Sequence, residues 1–129
     1  MGFLKPHADK IYAAMRIFVG LLFMQHGLQK IFDLFGGVPP AMPAALKYTA
    51  GSIEMVGGGL VALGLFASPA AFLCSGTMAV AYFMVHAKNG FFPILNGGEP
   101  AVIYCWIFFV IAAKGAGIWS VDGARAPAS

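Results

Sequence analysis

The chain has 129 residues, 60% of them hydrophobic and 10% charged, with a net charge of +3 and a mean hydropathy of +0.81. An ordinary soluble domain carries about 25% charged residues, so this composition excludes a water-facing surface over most of the chain. The net charge of +3 calls for no nucleic-acid partner, because contact with anionic lipid headgroups accommodates it.

A spanning helix needs roughly 20 mostly apolar residues, since about 30 Å of hydrocarbon is crossed at about 1.5 Å per residue. Four segments meet that requirement, at about residues 9–34, 44–66, 69–87 and 98–118. They predict one domain over 1–129, an all-α integral membrane protein folded as an antiparallel four-helix bundle.

The first segment follows Lys5 and Lys10, as the core of a cleavable signal follows its basic region. It is too long for that role and no A-x-A site follows, so it reads as a retained anchor. Pro and Gly punctuate the rest. GGVPPAMP (36–43) ends the first segment, and ASP (67–69) is short enough to join only antiparallel neighbours. KNGFFPILNGG (88–98) is longer and aromatic. Four crossings place both termini on one side. Lys5, Lys10, Arg16, Lys114 and Arg125 there outnumber Lys30, Lys47 and Lys88 opposite, which predicts cytoplasmic termini.

Ionisable groups in or at the ends of the spans carry the functional information, because such groups are costly in lipid and usually face the bundle interior. They are Arg16, His26, Lys30, Glu54, His86 and Glu99. On the first helix Arg16, Gly20, Phe23, Gly27 and Lys30 share one face, with His26 on a neighbouring line. On the second, Glu54 shares a stripe with Ala50, Gly51, Gly57 and Gly58, so another helix can approach closely. A carboxylate there requires a cation. Levels along the membrane normal predict an Arg16–Glu54 ion pair, serving either as a staple that fixes register or as part of the chemistry.

Antiparallel topology puts His26, Lys30, Lys47, His86, Lys88, Asn96 and Glu99 toward one membrane face. This predicts a polar vestibule lidded by Phe91, Phe92 and Pro93, with Arg16, His26, Lys30, Glu54, His86, Asn96 and Glu99 as ligand-binding candidates. His26, Glu54 and Glu99 are the candidates for proton transfer. Simpler roles stand beside these. The lysines serve as snorkelling anchors, and Glu99 complements the dipole of the fourth helix from its first turn. No metal or haem site is expected, since His86 has no ligand partner at suitable spacing. Cys74 and Cys105 fall toward opposite sides of the membrane and read as lone core thiols.

In this order and spacing, four motifs resemble the DoxX family of small four-helix bacterial membrane proteins over nearly the whole chain. They are R-x3-G-x6-G-x2-K from Arg16 with HG at His26, E-x2-GG at Glu54 followed by L-x3-G from Leu60, NGGEPAVIY (96–104), and GAGIWSVD (115–122). The resemblance implies a multi-pass protein of the bacterial inner membrane, similar to the membrane subunit of thiosulfate:quinone oxidoreductase and linked with redox assemblies that handle sulfur or oxidative stress. It also looks like part of a wider group of helix bundles that includes proteins for cofactor maturation.

Two readings of function stay open. One is a quinone-linked redox subunit with no intrinsic cofactor, in which an apolar slot takes the isoprenoid tail. Because the chain lacks CxxC and dinucleotide motifs, its electrons come from a partner protein or a soluble reductant. The other is a non-enzymatic membrane module, either an assembly factor or a binder or carrier of a small anion or lipid. Four crossings are few for either role alone, so a homo-oligomer is expected.

Overall fold

The computed structural model describes residues 1–125, and no β-strand occurs among them. A short 3₁₀ turn, Lys5–His7, leads into α1, Ala8–Phe32. Asp33 and Phe35, both at positive φ, end that helix two residues before the expected limit. Pro43 caps α2, Ala44–Leu63, whose other end closes in a Schellman turn. There Gly64 (φ 68°) donates to the Val61 carbonyl at 3.1 Å and Leu65 donates to that of Leu60 at 3.0 Å. α3, Ala67–Ala81, continues through a wider π turn, Tyr82–His86, and a 3₁₀ turn, Ala87–Asn89.

The fourth apolar segment is shorter than its composition suggests. A single turn, α4 (Pro93–Asn96), precedes α5 (Glu99–Lys114), and α6 (Val121–Arg125) follows. Gly115 at φ 86° breaks α5 because an L side chain is strained there, so the GAGIWS stretch is a folded-back connection and not the last turn of a helix. With 16 residues α5 is about 24 Å long. Two helices, Lys5–Phe32 and Ala67–Asn89, are long and apolar enough to cross a membrane.

α1 packs along α2, α2 on α3, and α3 along α5. The α1–α2 approach is set by four glycines seven residues apart in pairs. Gly20 lies against Gly58, and Gly27 against Gly51. A Cβ at Gly20 would sit 2.7 Å from the Gly58 carbonyl oxygen, and one at Gly58 2.7 Å from that of Gly20. At this separation backbones touch, which is how helices without a hydrophobic driving force between them gain dispersion energy. α1 and α5 meet instead through rings. Phe23 lies 5.3 Å from Tyr104 and 4.7 Å from Phe108, centroid to centroid.

The interior is built of Ala13, Phe23, Val61, Ala71, Cys74, Phe108 and Ile111, all at or below 1% exposure. Phe18, Phe72, Phe83 and Trp106 point outward, each more than 60% exposed, whereas Arg16 (0%) and Glu54 (3%) are inside. Large apolar groups outside and charges inside reverse the ordinary soluble arrangement.

Candidate functional site

The charged interior residues occupy two separate sites. At the first, Lys30 Nζ donates to Glu54 Oε2 at 2.7 Å, so the partner of Glu54 is Lys30 and not Arg16. The expected Arg16–Glu54 pair is therefore corrected, and the reason is side-chain direction. On a helix the Cα–Cβ bond leans toward the N-terminus. With Gly27 opposite Gly51 on antiparallel helices, Lys30 and Glu54 lean toward each other, while Arg16 leans away from Glu54.

Arg16 goes to the far end of α2. Its Nη1 donates to the Val61 and Ala62 carbonyls, both at 2.8 Å, and its Nη2 to those of Ile118 at 3.2 Å and Trp119 at 2.7 Å. The Val61 and Ala62 carbonyls belong to the last turn of α2, where donors run short beyond the Gly64 N–H on Val61 and the helix dipole is negative. A guanidinium with five N–H groups satisfies them and the returning GAGIWS chain together. Its Nε is the single buried side-chain nitrogen or oxygen without a partner among the described residues. Tyr12 donates to the Gly115 carbonyl at 2.7 Å, one turn below.

Asp122 completes this end. Its two carboxylate oxygens accept from the backbone N–H groups of Phe66 and Ala67, each at 2.9 Å, at the start of α3. Those donors, Ala67 first, hold the Asp122 carboxyl below the ordinary carboxylate range, with Arg125 and Arg16 adding in the same direction. The GAGIWSVD motif is thereby accounted for residue by residue, as a clasp between α1, α2 and α3.

Beside the Lys30–Glu54 pair lies the α1–α5 seam. The exposed His26 ring meets Tyr104 edge-on at 6.0 Å, and Tyr104 stacks on Phe108 at 6.0 Å. The ion pair thus lies between α1 and α2, and the imidazole and phenol meet between α1 and α5.

His86 and Asn96 form a third group. His86 Nδ1 is 3.3 Å from the Asn96 carbonyl oxygen, and the Asn96 amide donates to the Gly90 carbonyl at 2.9 Å and to the Tyr82 hydroxyl at 3.2 Å. They clasp the 90–98 connection shut. Glu99 is exposed in the first turn of α5, and Lys47 is 3.3 Å from Asp33. The seven candidates therefore do not line one vestibule. Cys74 and Cys105 are both free thiols, but Cys105 lies beside Ser75, 3.4 Å from its hydroxyl, and so at the level of Cys74 and not on the opposite side. No three His, Cys, Asp or Glu side chains gather at metal-binding distance among the described residues.

Tyr104, Tyr82 and Asp122 escape a search for ions within apolar spans. Two of them are phenols that read as belt aromatics, and the third lies beyond the last span. The signal for Tyr104 was its place in NGGEPAVIY, five residues after Glu99 on the same helix.

An all-α chain with two helices fit to cross a membrane and a basic clasp joining its first and last elements is the class so defined. The model of the DoxX family matches residues 11–87, and the chain belongs to that family. That stretch holds Arg16, His26, Lys30, Glu54 and His86. An uncharacterized protein of Haemophilus influenzae is 38% identical over 128 residues, spanning 95% of this chain and 96% of the relative, so the likeness extends through Glu99 and GAGIWSVD. No solved structure matches.

Proposed function

We propose that the chain is a multi-pass protein of the bacterial inner membrane in which α1, α2, α3 and α5 form an antiparallel bundle, and that the α1–α5 seam binds a membrane quinone. The membrane reading is supported by the outward Phe18, Phe72, Phe83 and Trp106 around an interior that holds Arg16 and Glu54. In lipid, α5 reaches the required thickness together with the α4 turn before it and the GAGIWS connection after it.

The seam carries the quinone reading. The partly buried Tyr104 ring and the exposed His26 ring form its accessible edge, backed by the buried Phe23 and Phe108, and its polar groups are hydrogen-bond donors suited to quinone oxygens. On this reading Lys30 and the Tyr104 hydroxyl would donate to such an oxygen, and His26 would exchange a proton with the surroundings, supported by the His26–Tyr104 contact and the Lys30–Glu54 pair. A bound quinone would supply two-electron redox chemistry, with electrons delivered by a partner protein. Glu54 holds Lys30 in place.

One observation favours a second reading, a non-enzymatic assembly module. Lys30 and Arg16 are already satisfied by protein groups, as in a purely architectural bundle. Quinone content decides between them. The protein is purified from its native membranes and extracted lipid is assayed by mass spectrometry for the wild type, Tyr104→Phe, His26→Ala and Lys30→Met/Glu54→Gln. Near-stoichiometric quinone in the wild type, lost in the folded variants, supports the seam. Quinone absent from the wild type while a partner protein co-purifies establishes the assembly module.

A further inference from the structure

We propose that the 91–95 turn between α3 and α5 is a separate membrane contact, a rigid apolar wedge lying in the headgroup layer on the side where α3 ends. The inference rests on the multi-pass reading and concerns a part of the molecule outside the seam. Phe91 is 83% exposed, Phe92 59%, Ile94 81% and Leu95 77%. Four large apolar side chains held out from one short turn are not explained by the packing of this chain, because none of them fills its core.

The turn is held, not loose. The Asn96 side chain, 7% exposed, donates to the Gly90 carbonyl at 2.9 Å, and its Oδ1 accepts from the Gly98 N–H at 2.8 Å. The Tyr82 hydroxyl donates to the Phe91 carbonyl at 2.8 Å. Pro93 removes one backbone donor at the front of the turn, and the Phe92 carbonyl accepts from the N–H groups of Leu95 and Asn96 at 2.9 and 3.1 Å. Pairing of these groups lowers the cost of seating the turn at the boundary between headgroups and acyl chains.

The surroundings point to lipid. Phe83, Met84 and Val85, exposed by 72%, 60% and 36%, lead from the lipid-facing side of α3 directly toward the wedge. Lys88 is exposed where the helix ends, at the level of phosphate groups, and no acidic residue lies between Glu54 and Glu99 to repel an anionic surface. Apolar fingers flanked by Lys88 on one side, with Glu99 beyond them at the start of α5, are complementary to the boundary between headgroups and acyl chains.

Indole fluorescence in proteoliposomes of anionic and zwitterionic phospholipid tests the wedge. Phe91→Trp is made in a Trp106→Phe/Trp119→Phe background, with Ile94→Trp in the same background as a second probe. Native Trp106, which faces outward from α5, is read in the Trp119→Phe protein as the control for the multi-pass reading. A wedge seated about 5–10 Å below the headgroup surface gives blue-shifted emission, quenching by lipids brominated near the headgroup, and several-fold weaker quenching by aqueous iodide than free tryptophan shows. If Trp106 is quenched by bromolipid while the indoles of Phe91→Trp and Ile94→Trp are quenched by iodide like free tryptophan, the wedge is overturned and the bundle stands. If Trp106 also escapes bromolipid, both readings fall. Shielding of the two probes in native membranes but not in pure liposomes overturns the wedge in favour of a protein partner.

Discussion

Replacing Glu54 with Gln leaves Lys30 charged and half-buried with no anion. With Nζ and Oε2 2.7 Å apart and the Glu54 side chain only 4% exposed, the attraction is about 6 kcal/mol at an effective dielectric near 20. Desolvation of both ions offsets much of that, and breaking such a pair from one side costs about 3–5 kcal/mol. Lys30→Met strands the carboxylate and belongs in the same range. The double variant Lys30→Met/Glu54→Gln removes both charges and is expected within about 1–2 kcal/mol of wild type, because apolar replacements of buried pairs are often near neutral. Unfolding by sodium dodecyl sulfate in mixed micelles, followed by circular dichroism, gives the three stabilities and a coupling energy of about 3 kcal/mol or more. Single variants that each lose under about 1 kcal/mol and add within about 0.5 kcal/mol would refute the pairing as an energetic unit.

Gly27→Ala brings a methyl group into the Met55 and Gly51 backbone, so α1 and α2 must part, and a loss of about 1–3 kcal/mol is expected in the same assay. Gly76→Ala on α3 meets nothing within 4 Å and is expected to gain about 0.5–1 kcal/mol, which makes it the control for helix propensity. Arg16→Met bares the Ala62, Ile118 and Trp119 carbonyls, each worth about 1–3 kcal/mol if left unsatisfied, while Val61 keeps the Gly64 N–H, and it is expected to abolish accumulation of folded protein. Arg16→Lys, with three donors, restores part of it. The folded-state pKa of Asp122 is lowered, so its stabilisation is complete above the unfolded value of 3.8 and is lost as pH falls through the lowered folded value. Hydrogen exchange at the Phe66 and Ala67 amides is expected to quicken, relative to its intrinsic rate, below about pH 4, whereas Asp122→Ala shows fast exchange at every pH and loses about 0.5–2 kcal/mol.

Helices are read well from this sequence where their limits are written in Gly and Pro. Pro43 before α2 and Gly98 before α5 mark starts that the structure keeps to within a residue. Glycine pairs seven residues apart on α1 and α2 announce the close face, and they also contain the register that decides the ion pairs. Opposing Gly20 with Gly58 and Gly27 with Gly51 sets Arg16 level with Ala62, where only backbone carbonyls are available. Comparing Cα depths without that register, or without the lean of the side chains, leads to the wrong cation. The GAGIWSVD clasp was illegible for another reason. Its conformation depends on positive φ at Gly115, Gly117 and Trp119, which no apolar periodicity encodes. The vestibule failed because a shared membrane face is not a shared cavity. His86 and Asn96 meet at their own connection, Glu99 stays outside, and Lys30 and Glu54 meet between α1 and α2.

The four carbonyls around Arg16 come from residues 61, 62, 118 and 119, so the last acceptor is made 103 positions after the arginine itself. A ribosome therefore delivers the arginine long before half of its acceptors exist. Until Ile118 and Trp119 emerge, the first two helices hold a cation whose guanidinium is only half engaged, and Asp122 has yet to reach the amides that open α3. The last contacts made are the ones that end this exposure, so the fold is complete only when the GAGIWSVD segment has turned back onto the starts and ends of the earlier helices.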